Sequence, residues 1–404
     1  MRKLLYFLFI MFFGACNFFW GDKQDATTDE IFEQGKIDPE LIPQSIGYVP
    51  VLPFFEGFSN PIDVYVGYDE MIYIIDDFGI HVLDKAGRRF RTFTISGAKR
   101  LVQDRRLHTY VSGTLKIKSG GLDYEVAAVY HLINTATLAN PEIIDTILHP
   151  FSDISRRFTS FRANEDAAVK FTGIATLADN SLYIARSGPN NSATSISYPD
   201  NTILIYNKDG NHIGHSNGLS PSFPSIKSSY KITAIAGFSG PPQRNFGISN
   251  SRDFFIAQYD SINPVEFGVI GISYLFDPDL GSLYDGRPQM LNYDSSKSKR
   301  FLYEPFRFKK PEHIYIAPDQ NTYIFVVDSQ RDSIYQFTPL GFEGVNPPAN
   351  YPERKQIIAS FGGNGSGPFN FKQPMGICYN NRMIYVADKG NNRICRYKLS
   401  TDIE

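Results

Sequence analysis

Two acidic residues and one histidine are the side chains of this sequence best placed to bind a metal or a polar ligand. Asp63, Glu312 and His313 fall near the beginning of short apolar segments, where a strand would carry them to one end of a sheet. Thr172 and Met375 hold similar positions in two further segments. One histidine with scattered acids falls short of the ligand set of a zinc site. We therefore predict that these five residues line a channel mouth, with no catalytic residues, metal or cofactor.

Two other segments have residue types that bind ligands in other proteins. The glycine-rich run 362–367 would cradle a phosphate only if a helix followed it, whereas the next residues indicate a strand. The acid-rich segment 277–285 lacks the fifth-position oxygen, the glycine at the sixth position and the terminal glutamate of a calcium loop. We interpret the first segment as a tight turn and the second as an exposed loop.

A short pattern, an aromatic residue followed by valine or isoleucine, recurs along the chain and is typical of a buried strand. Its six copies are 73–76, 110–113, 183–186, 255–258, 325–328 and 385–388. Candidate first strands precede most copies, at 61–64, 172–175, 232–235, 312–315 and 375–377. Third strands follow, for instance at 80–82, 203–206 and 334–337. A unit of several short strands repeated six times indicates an all-β ring or array.

The last copy is the most complete and resembles a known repeat. Its first strand reads Pro374-Met-Gly-Ile377, its second Ile384-Tyr-Val-Ala-Asp388, and Asn391-Asn-Arg-Ile394 follows. These segments resemble the NHL repeat, which implies that each unit is one blade of a β-propeller. Six copies predict a six-bladed β-propeller. A five- or seven-bladed ring and two separate β-domains are the alternatives.

The two ends of the repeat region fit together. The final blade supplies three strands and stops near Ser400, while the strand-like segment 48–52 precedes the first blade and belongs to none. We predict that 48–52 is the outer strand of the last blade and closes the ring, which leaves no free gap. Pro50 is acceptable there, because an outer strand is an edge.

Two residue types within the repeat, aspartate and cysteine, have structural roles in this interpretation. Asp76, Asp328 and Asp388 occupy one repeat position, so we expect each to hold the loop that follows it. Cys378 and Cys395 fall on the first and third strands of one blade, about 9.5 Å apart at two strand spacings. That separation exceeds disulfide reach, so we expect two buried free thiols.

The N-terminus has the layout of an export signal. Met1-Arg2-Lys3 precedes an uncharged apolar run from Leu4 to Phe13, which is too short to span a bilayer. The sequence Phe13-Gly-Ala-Cys16 then resembles a bacterial lipobox, which implies lipidation of Cys16; an ordinary secretory signal is the alternative. We predict a signal peptide over 1–15, a lipid-anchored tether over 16–43 and the propeller over 44–404.

The charge of the chain and one basic segment bear on whether it binds nucleic acid. A net charge of −2 gives no bulk attraction for nucleic acid. The basic and aromatic segment 297–310 could stack on a nucleic acid, but the alternation in 307–310 indicates a half-exposed outer strand. We therefore predict no nucleic-acid partner.

Long connections between strands decorate the predicted ring. They fall around 112–123, 150–170, 186–201, 215–230, 276–305 and 339–356. Loops that converge on one face of a rigid ring commonly bind partners. With the anchor, they predict a non-catalytic outer-membrane lipoprotein, similar in style to those of Bacteroidetes, that docks an outer-membrane or periplasmic protein complex.

Two alternative functions remain. The first is a propeller lyase or lactonase with a metal on the axis, for example a calcium ion held by Asp63 and Glu312. The second is a carbohydrate-binding surface protein that uses exposed aromatic residues such as Tyr198 or Tyr284. The sequence leaves the partner, the membrane leaflet and the binding face open.

Overall fold

The structure is a computed structural model, and it describes only part of the chain. The described residues are 35–137, 140–150, 166–188, 202–216, 231–243, 246–291, 294, 297–349, 351 and 354–403. The predicted signal peptide, Cys16, most of the predicted tether and Tyr198 lie outside them, as do parts of five of the predicted long connections.

Within the described residues, the strands form six antiparallel sheets, each of which is one blade. Blade 1 contains β3 (Asp63–Val66), β4 (Ile72–Asp76), β5 (Gly79–Leu83) and β6 (Arg89–Phe93). Blade 2 contains β7 (Arg100–Gln103), β8 (Thr109–Ser119), β9 (Leu122–Ile133) and β10 (Glu142–Leu148). Blade 3 contains β11 (Lys170–Thr176), β12 (Leu182–Ser187), β13 (Ile203–Tyr206) and β14 (His212–His215).

The second half of the ring repeats this arrangement. Blade 4 contains β15 (Ile232–Gly237), β16 (Phe254–Gln258), β17 (Val269–Asp277) and β18 (Gly281–Gly286). Blade 5 contains β19 (Pro311–Ile316), β20 (Ile324–Asp328), β21 (Ser333–Phe337) and β22 (Phe361–Gly362). Blade 6 contains β23 (Pro374–Asn380), β24 (Met383–Asp388) and β25 (Arg393–Leu399), and it is completed by β2 (Tyr48–Leu52) and β1 (Lys36–Ile37).

The predicted all-β, six-bladed propeller is confirmed. The first strand of every blade touches the first strand of the next, from β3 through β7, β11, β15, β19 and β23 back to β3, so these strands form a closed inner ring. All six aromatic patterns lie in second strands. Strand β4 is buried at all five positions because a neighbouring blade covers each of its faces. Apolar runs therefore replace the alternation of a half-exposed strand.

The predicted closure of the ring is also confirmed. Strand β2 pairs antiparallel with β25, with Tyr48 opposite Leu399 and Pro50 opposite Tyr397. Strand β1 adds to the outer side of β2 through residues that face only Val51 and Leu52. Residues 36–37, which we had assigned to the tether, are thus part of the last blade. The two ends of the repeat region are joined by main-chain hydrogen bonds between strands.

The aspartates at the shared position of the repeat have the expected structural role. Asp328 accepts hydrogen bonds from the backbone N–H groups of Lys309, Lys310, Gln330 and Arg331. Its carboxylate therefore ties the turn after β20 to the segment that leads into β19. Asp76 and Asp388 do the same in blades 1 and 6, through the backbone N–H groups of Ser59, Phe78 and Lys372.

Cys378 and Cys395 are buried free thiols on β23 and β25, as expected. Burial raises the pKa of the Cys378 thiol to about 12 and that of Cys395 further still. Both sulfurs are therefore protonated and act as small apolar groups in the core.

Two expectations about the connections are wrong. The segment 112–123, which we had assigned to a loop, continues β8 and β9 as a hairpin that projects beyond the blade. The segment 307–310 is not an outer strand, because β18 fills that position in blade 4. Arg307 instead lies over the rings of Tyr335 and Phe337 and pairs with Glu343, so its charge is buried between blades.

The closing strand gives a direct test of the fold. Val49 is fully buried, whereas Ile42, just before β2, is 42% exposed. We expect Val49→Asp to lower the free energy of unfolding by about 3 kcal/mol or more, because it buries an unpaired carboxylate at the ring seam. The control Ile42→Asp should change it by less than about 0.5 kcal/mol. Urea unfolding monitored by far-UV circular dichroism measures both free energies of unfolding. Equal losses of stability in the two variants would show that the seam is not critical.

Candidate functional site

Three side chains from three blades meet at the axis of the ring. We call the end where the inner strands begin the upper face and the opposite end the lower face. Asp63 begins β3, Arg100 begins β7 and His313 lies in β19, so all three sit near the upper face. Asp63 Oδ1 lies 3.7 Å from Arg100 Nη1 and 3.7 Å from His313 Nε2. Two of the predicted channel residues are therefore brought together, around an arginine that the sequence reasoning missed.

Arg100 spans the upper end of the channel. Its guanidinium donates to the carbonyl of Ile62 at 2.9 Å and, across the axis, to the carbonyl of Glu312 at 2.9 Å. Blades 2 and 5 are opposite each other in the ring, so this side chain bridges its full width. Arg100 is only 8% exposed. The Arg100 side chain therefore narrows the axis at this face.

Burial controls the charges at the axis. It raises the pKa of the Asp63 carboxyl to about 6, although the Arg100 guanidinium and the Leu101 N–H pull that pKa down. Burial also holds the pKa of His313 well below its usual value, and the Arg100 charge lowers it further. His313 is therefore neutral, and its Nδ1 can accept the Ile377 N–H at 3.3 Å. At neutral pH the axis holds one buried ion pair and a neutral imidazole.

The lower end of the axis is covered by the connection between β15 and β16. Ser239 lines the axial cavity, Gly240 lies against Pro318 of blade 5, and the Gln243 side chain accepts the Asn381 N–H of blade 6 at 2.5 Å. The connection thus runs from blade 4 under the ring. Between this floor and Arg100 remains a cavity of about 50 Å³, which has room for a few waters and none for a substrate.

The other predicted channel residues have different positions. The Glu312 carboxylate pairs with Lys310 at 2.5 Å, and Thr172 Oγ1 lies 3.5 Å from the Ala185 carbonyl. Neither these two nor Met375 is among the residues that line the axial cavity.

The residues at the axis do not fit a divalent cation. Asp63 and Glu312 each already face a basic side chain, Arg100 and Lys310 respectively. A bound metal would meet the Arg100 charge at close range in a buried site, where such repulsion is strong. In the described part of the chain, moreover, no group of three or more histidine, cysteine, aspartate or glutamate residues is arranged to hold a metal ion.

A polar groove lies on the lower face beside the floor of the channel. Its volume is about 660 Å³, and it is formed by the hairpin turns of blades 5 and 6, the Gln243 connection and the C-terminal residues. Its polar lining includes Gln320, Asn321, Asn381, Arg382, Lys398 and Asp402. These residues come from segments up to 82 positions apart (402 − 320), and no local sequence motif connects them.

The hairpin turn between β17 and β18 in blade 4 forms an exposed apolar tip. Leu275, Phe276 and Leu280 are 63%, 63% and 73% exposed. Asp277 caps this turn by accepting the N–H groups of Asp279 and Leu280 at 2.8 Å. We call Leu275, Phe276 and Leu280 the blade 4 tip. Large apolar side chains this exposed on a rigid hairpin are typical of interaction sites.

One aromatic residue proposed for ligand binding is buried. Tyr284 is 9% exposed and packs against Tyr183, Phe254 and Tyr274. Its hydroxyl lies 3.4 Å from that of Tyr183, and burial raises its pKa. The expectation that Tyr284 offers an exposed sugar-binding ring is therefore wrong.

In the part of the chain that the structure describes, no helix reaches the length and apolar character needed to cross a membrane.

Comparison with solved structures supports the fold. The chain is similar to a luciferin-regenerating enzyme, with a TM-score of 0.50 and 9% identity over 88% of this chain and 95% of that one. It is similar to an auxiliary nutrient binding protein from Bacteroides ovatus, with a TM-score of 0.48 and 10% identity over 90% and 75% of the two chains. A gluconolactonase from Xanthomonas campestris gives a TM-score of 0.46 and 7% identity over 89% and 91%.

No protein-family model matches the sequence, and no curated protein is significantly similar to it. At identities this low, a likeness to solved structures extends to the fold alone. The six sheets and their closed inner ring define the class as a six-bladed β-propeller and nothing narrower.

The buried carboxyl at the axis predicts a specific pH dependence. The unfolded chain releases the Asp63 proton near pH 3.8, whereas the folded chain keeps it until about pH 6. Its contribution to stability is therefore full below pH 3.8 and is lost as the pH rises through 6. The asparagine side chain of the Asp63→Asn variant cannot ionise. We therefore expect the free energy of unfolding of the variant, relative to that of the wild type, to rise by up to about 3 kcal/mol between pH 3.5 and 7.

Urea unfolding of both proteins across this range measures the difference. The acid end, where Asp63 is protonated in the folded chain and mostly protonated in the unfolded chain, is the internal reference. Parallel stability curves would contradict the assignment of a raised pKa to Asp63.

Proposed function

We propose that the chain is a non-catalytic binding lipoprotein of the bacterial outer membrane that docks an envelope protein through its propeller loops. In this proposal the blades are of the NHL type, on the strength of the last repeat, and Cys16 carries the lipid anchor. The partner belongs to an outer-membrane or periplasmic complex, such as a transport or secretion assembly. The ring is the rigid support, and the connections between strands make the contacts.

The absence of catalysis in this proposal rests on the filled axis. An axial lyase or lactonase needs an open channel mouth with ligands for a metal, and here the Arg100 guanidinium spans that mouth. The floor formed by the Gln243 connection covers the other end. Together they leave on the axis a cavity of only about 50 Å³ for axial propeller chemistry.

The blade 4 tip is the observation that carries the docking role. Three large apolar side chains, each more than 60% exposed, lie at one end of a hairpin: Leu275 and Phe276 on the two faces of β17 and Leu280 in the turn. Asp277 and Asp279 lie between Phe276 and Leu280, so the tip carries two carboxylates beside its apolar side chains. Those charges oppose insertion into anionic lipid and favour a protein partner that has an apolar pocket with a basic rim.

Substitution of the proposed lipidated residue, Cys16, tests the lipid anchor and the membrane location. We expect full-length wild-type protein, expressed in a bacterium of the same envelope type, to incorporate an alkyne-tagged fatty acid and to sediment with membranes. Cys16→Ser should incorporate no label and move to the soluble fraction, because no lipid chains remain to be buried in the bilayer. The control Cys378→Ser changes a buried thiol and should leave labelling intact. An unlabelled, soluble wild type would overturn the anchor.

A quantitative pull-down tests the docking role. Tagged full-length protein, solubilised from envelopes in detergent, should recover a partner in near-stoichiometric amount by mass spectrometry. Replacing Leu275, Phe276 and Leu280 by serine should reduce that recovery at least about tenfold, because hot-spot contacts of exposed apolar anchors dominate docking energies. The matched control Ile262→Ser removes a side chain that is 78% exposed on another connection, and it should have no effect.

Both variants alter exposed residues, so their thermal unfolding should match that of the wild type. Recovery of the same partner with the tip variant would place the contact elsewhere on the ring. Recovery of the wild-type protein without any partner would overturn the proposal that it is a stable subunit of an envelope complex.

A further inference from the structure

The groove on the lower face has no part in the docking proposal, and its lining has a distinct chemistry. In the described part of the chain, the side-chain amides of Gln320, Asn321 and Asn381 make no hydrogen bond to other protein groups. Each amide offers two donor hydrogens and one acceptor oxygen. The groove therefore presents both donors and acceptors, on turns that the ring holds in place.

The groove continues into a second cavity. This cavity, of about 130 Å³, shares Asn321, Arg382 and Asp402 with the first and extends to Tyr323 and Pro348. Aromatic rings line both cavities: Phe246, which is 37% exposed, lies in the first and Tyr323 in the second. Such a shape suits an elongated ligand that places apolar faces on the rings and polar groups on the amides.

The charges of the groove argue against an ionic ligand. Arg382 pairs with Asp402 at 3.3 Å, and Lys398 and Asp319 add one charge of each sign. Asp319 is already occupied, since it accepts the Tyr379 hydroxyl and the Asn321 N–H. Sites for phosphate or other anions gather unpaired arginines or helix N-termini, and neither occurs in this lining.

The groove also differs from sites that bind extended peptides. Those sites commonly offer a free strand edge, whose main-chain groups pair with the peptide backbone. Here the only strand edge in the described lining is the two-residue β1, through Ile37, which is too short to pair with an extended peptide. The rest of the lining consists of the turns after β19 and β23, the Gln243 connection, Lys398 and C-terminal residues, and its polar groups are side chains. Hydroxyl groups, which both donate and accept, match free amides better than a backbone that needs a strand partner.

We propose that this groove binds a neutral saccharide chain, with sugar faces on Phe246 and Tyr323 and hydroxyls on the amides of Gln320, Asn321 and Asn381. The combined cavities are within the size range of small-molecule sites, about 300 to 1,000 Å³. The proposal goes beyond the docking function and does not depend on it, because the blade 4 tip and the groove share no residue.

Calorimetric titration of the full chain in detergent tests this site. The probes are maltohexaose, cellohexaose, xylohexaose and N-acetylchitohexaose, with hexagalacturonate and hexa-alanine as the anionic and peptide comparisons. We expect one neutral hexasaccharide to bind, with an affinity that changes less than about twofold with salt because the ligand carries no charge.

Two variants locate the binding. Asn321→Ala removes one free amide, and Asn381→Gly removes another at a position with φ of 47°, which glycine adopts without strain. Each should weaken binding at least about tenfold, as expected when a polar contact of a ligand is lost. The control Gln330→Ala removes an exposed amide from the opposite face of blade 5 and should leave the affinity unchanged.

Several results would overturn the proposal. One is the absence of binding by all four neutral probes at millimolar concentration to a folded chain. Another is an affinity that neither variant changes, and a third is binding of hexagalacturonate or hexa-alanine alone. The blade 4 tip variant should bind the saccharide normally. Failure of the docking proposal and failure of the saccharide site would therefore be seen separately.

Discussion

The pairing of β2 with β25 is the interaction on which the rest of the structure depends. Each blade buries its two faces only against its neighbours, so an open ring would leave two blades with exposed apolar faces. Closure by a strand from the other end of the repeat region joins residues about 350 positions apart, such as Tyr48 and Leu399. Once these strands pair, the six inner strands are held in a closed circle, and every side chain at the axis has its neighbours fixed.

That circle determines what the axis can do. The inner ends of opposite blades are close enough for the Arg100 guanidinium to reach the carbonyls of blades 1 and 5 together. The buried charge is offset by Asp63, and the neutral His313 adds no second charge. The axis therefore contributes to the rigidity of the ring. The proposed binding surfaces, the blade 4 tip and the lower-face groove, lie away from the three side chains at the axis.

Much of the fold could be predicted from the sequence because its signals are local. The aromatic and β-branched pattern marked all six second strands, and the aspartate that follows it in blades 1, 5 and 6 forms its hydrogen bonds within its own blade. The inner strand of blade 2, β7, was not predicted from the sequence. It is four residues long, carries no glycine or proline marker, and begins with Arg100, a residue type that usually lies outside a core.

The sequence by itself therefore predicted six blades in preference to five or seven, the closing strand and the buried thiols, since each depends on residues within one strand or on a segment at one end of the repeat region. Only the tertiary structure decided which polar side chains meet. Asp63, Arg100 and His313 come from three blades, and the groove gathers residues from two hairpin turns and the C-terminal end. Tyr284 is buried for the same reason, because Tyr183 of the neighbouring blade covers it. Contacts between distant segments are set by the curvature of the whole ring, which no short stretch of sequence encodes.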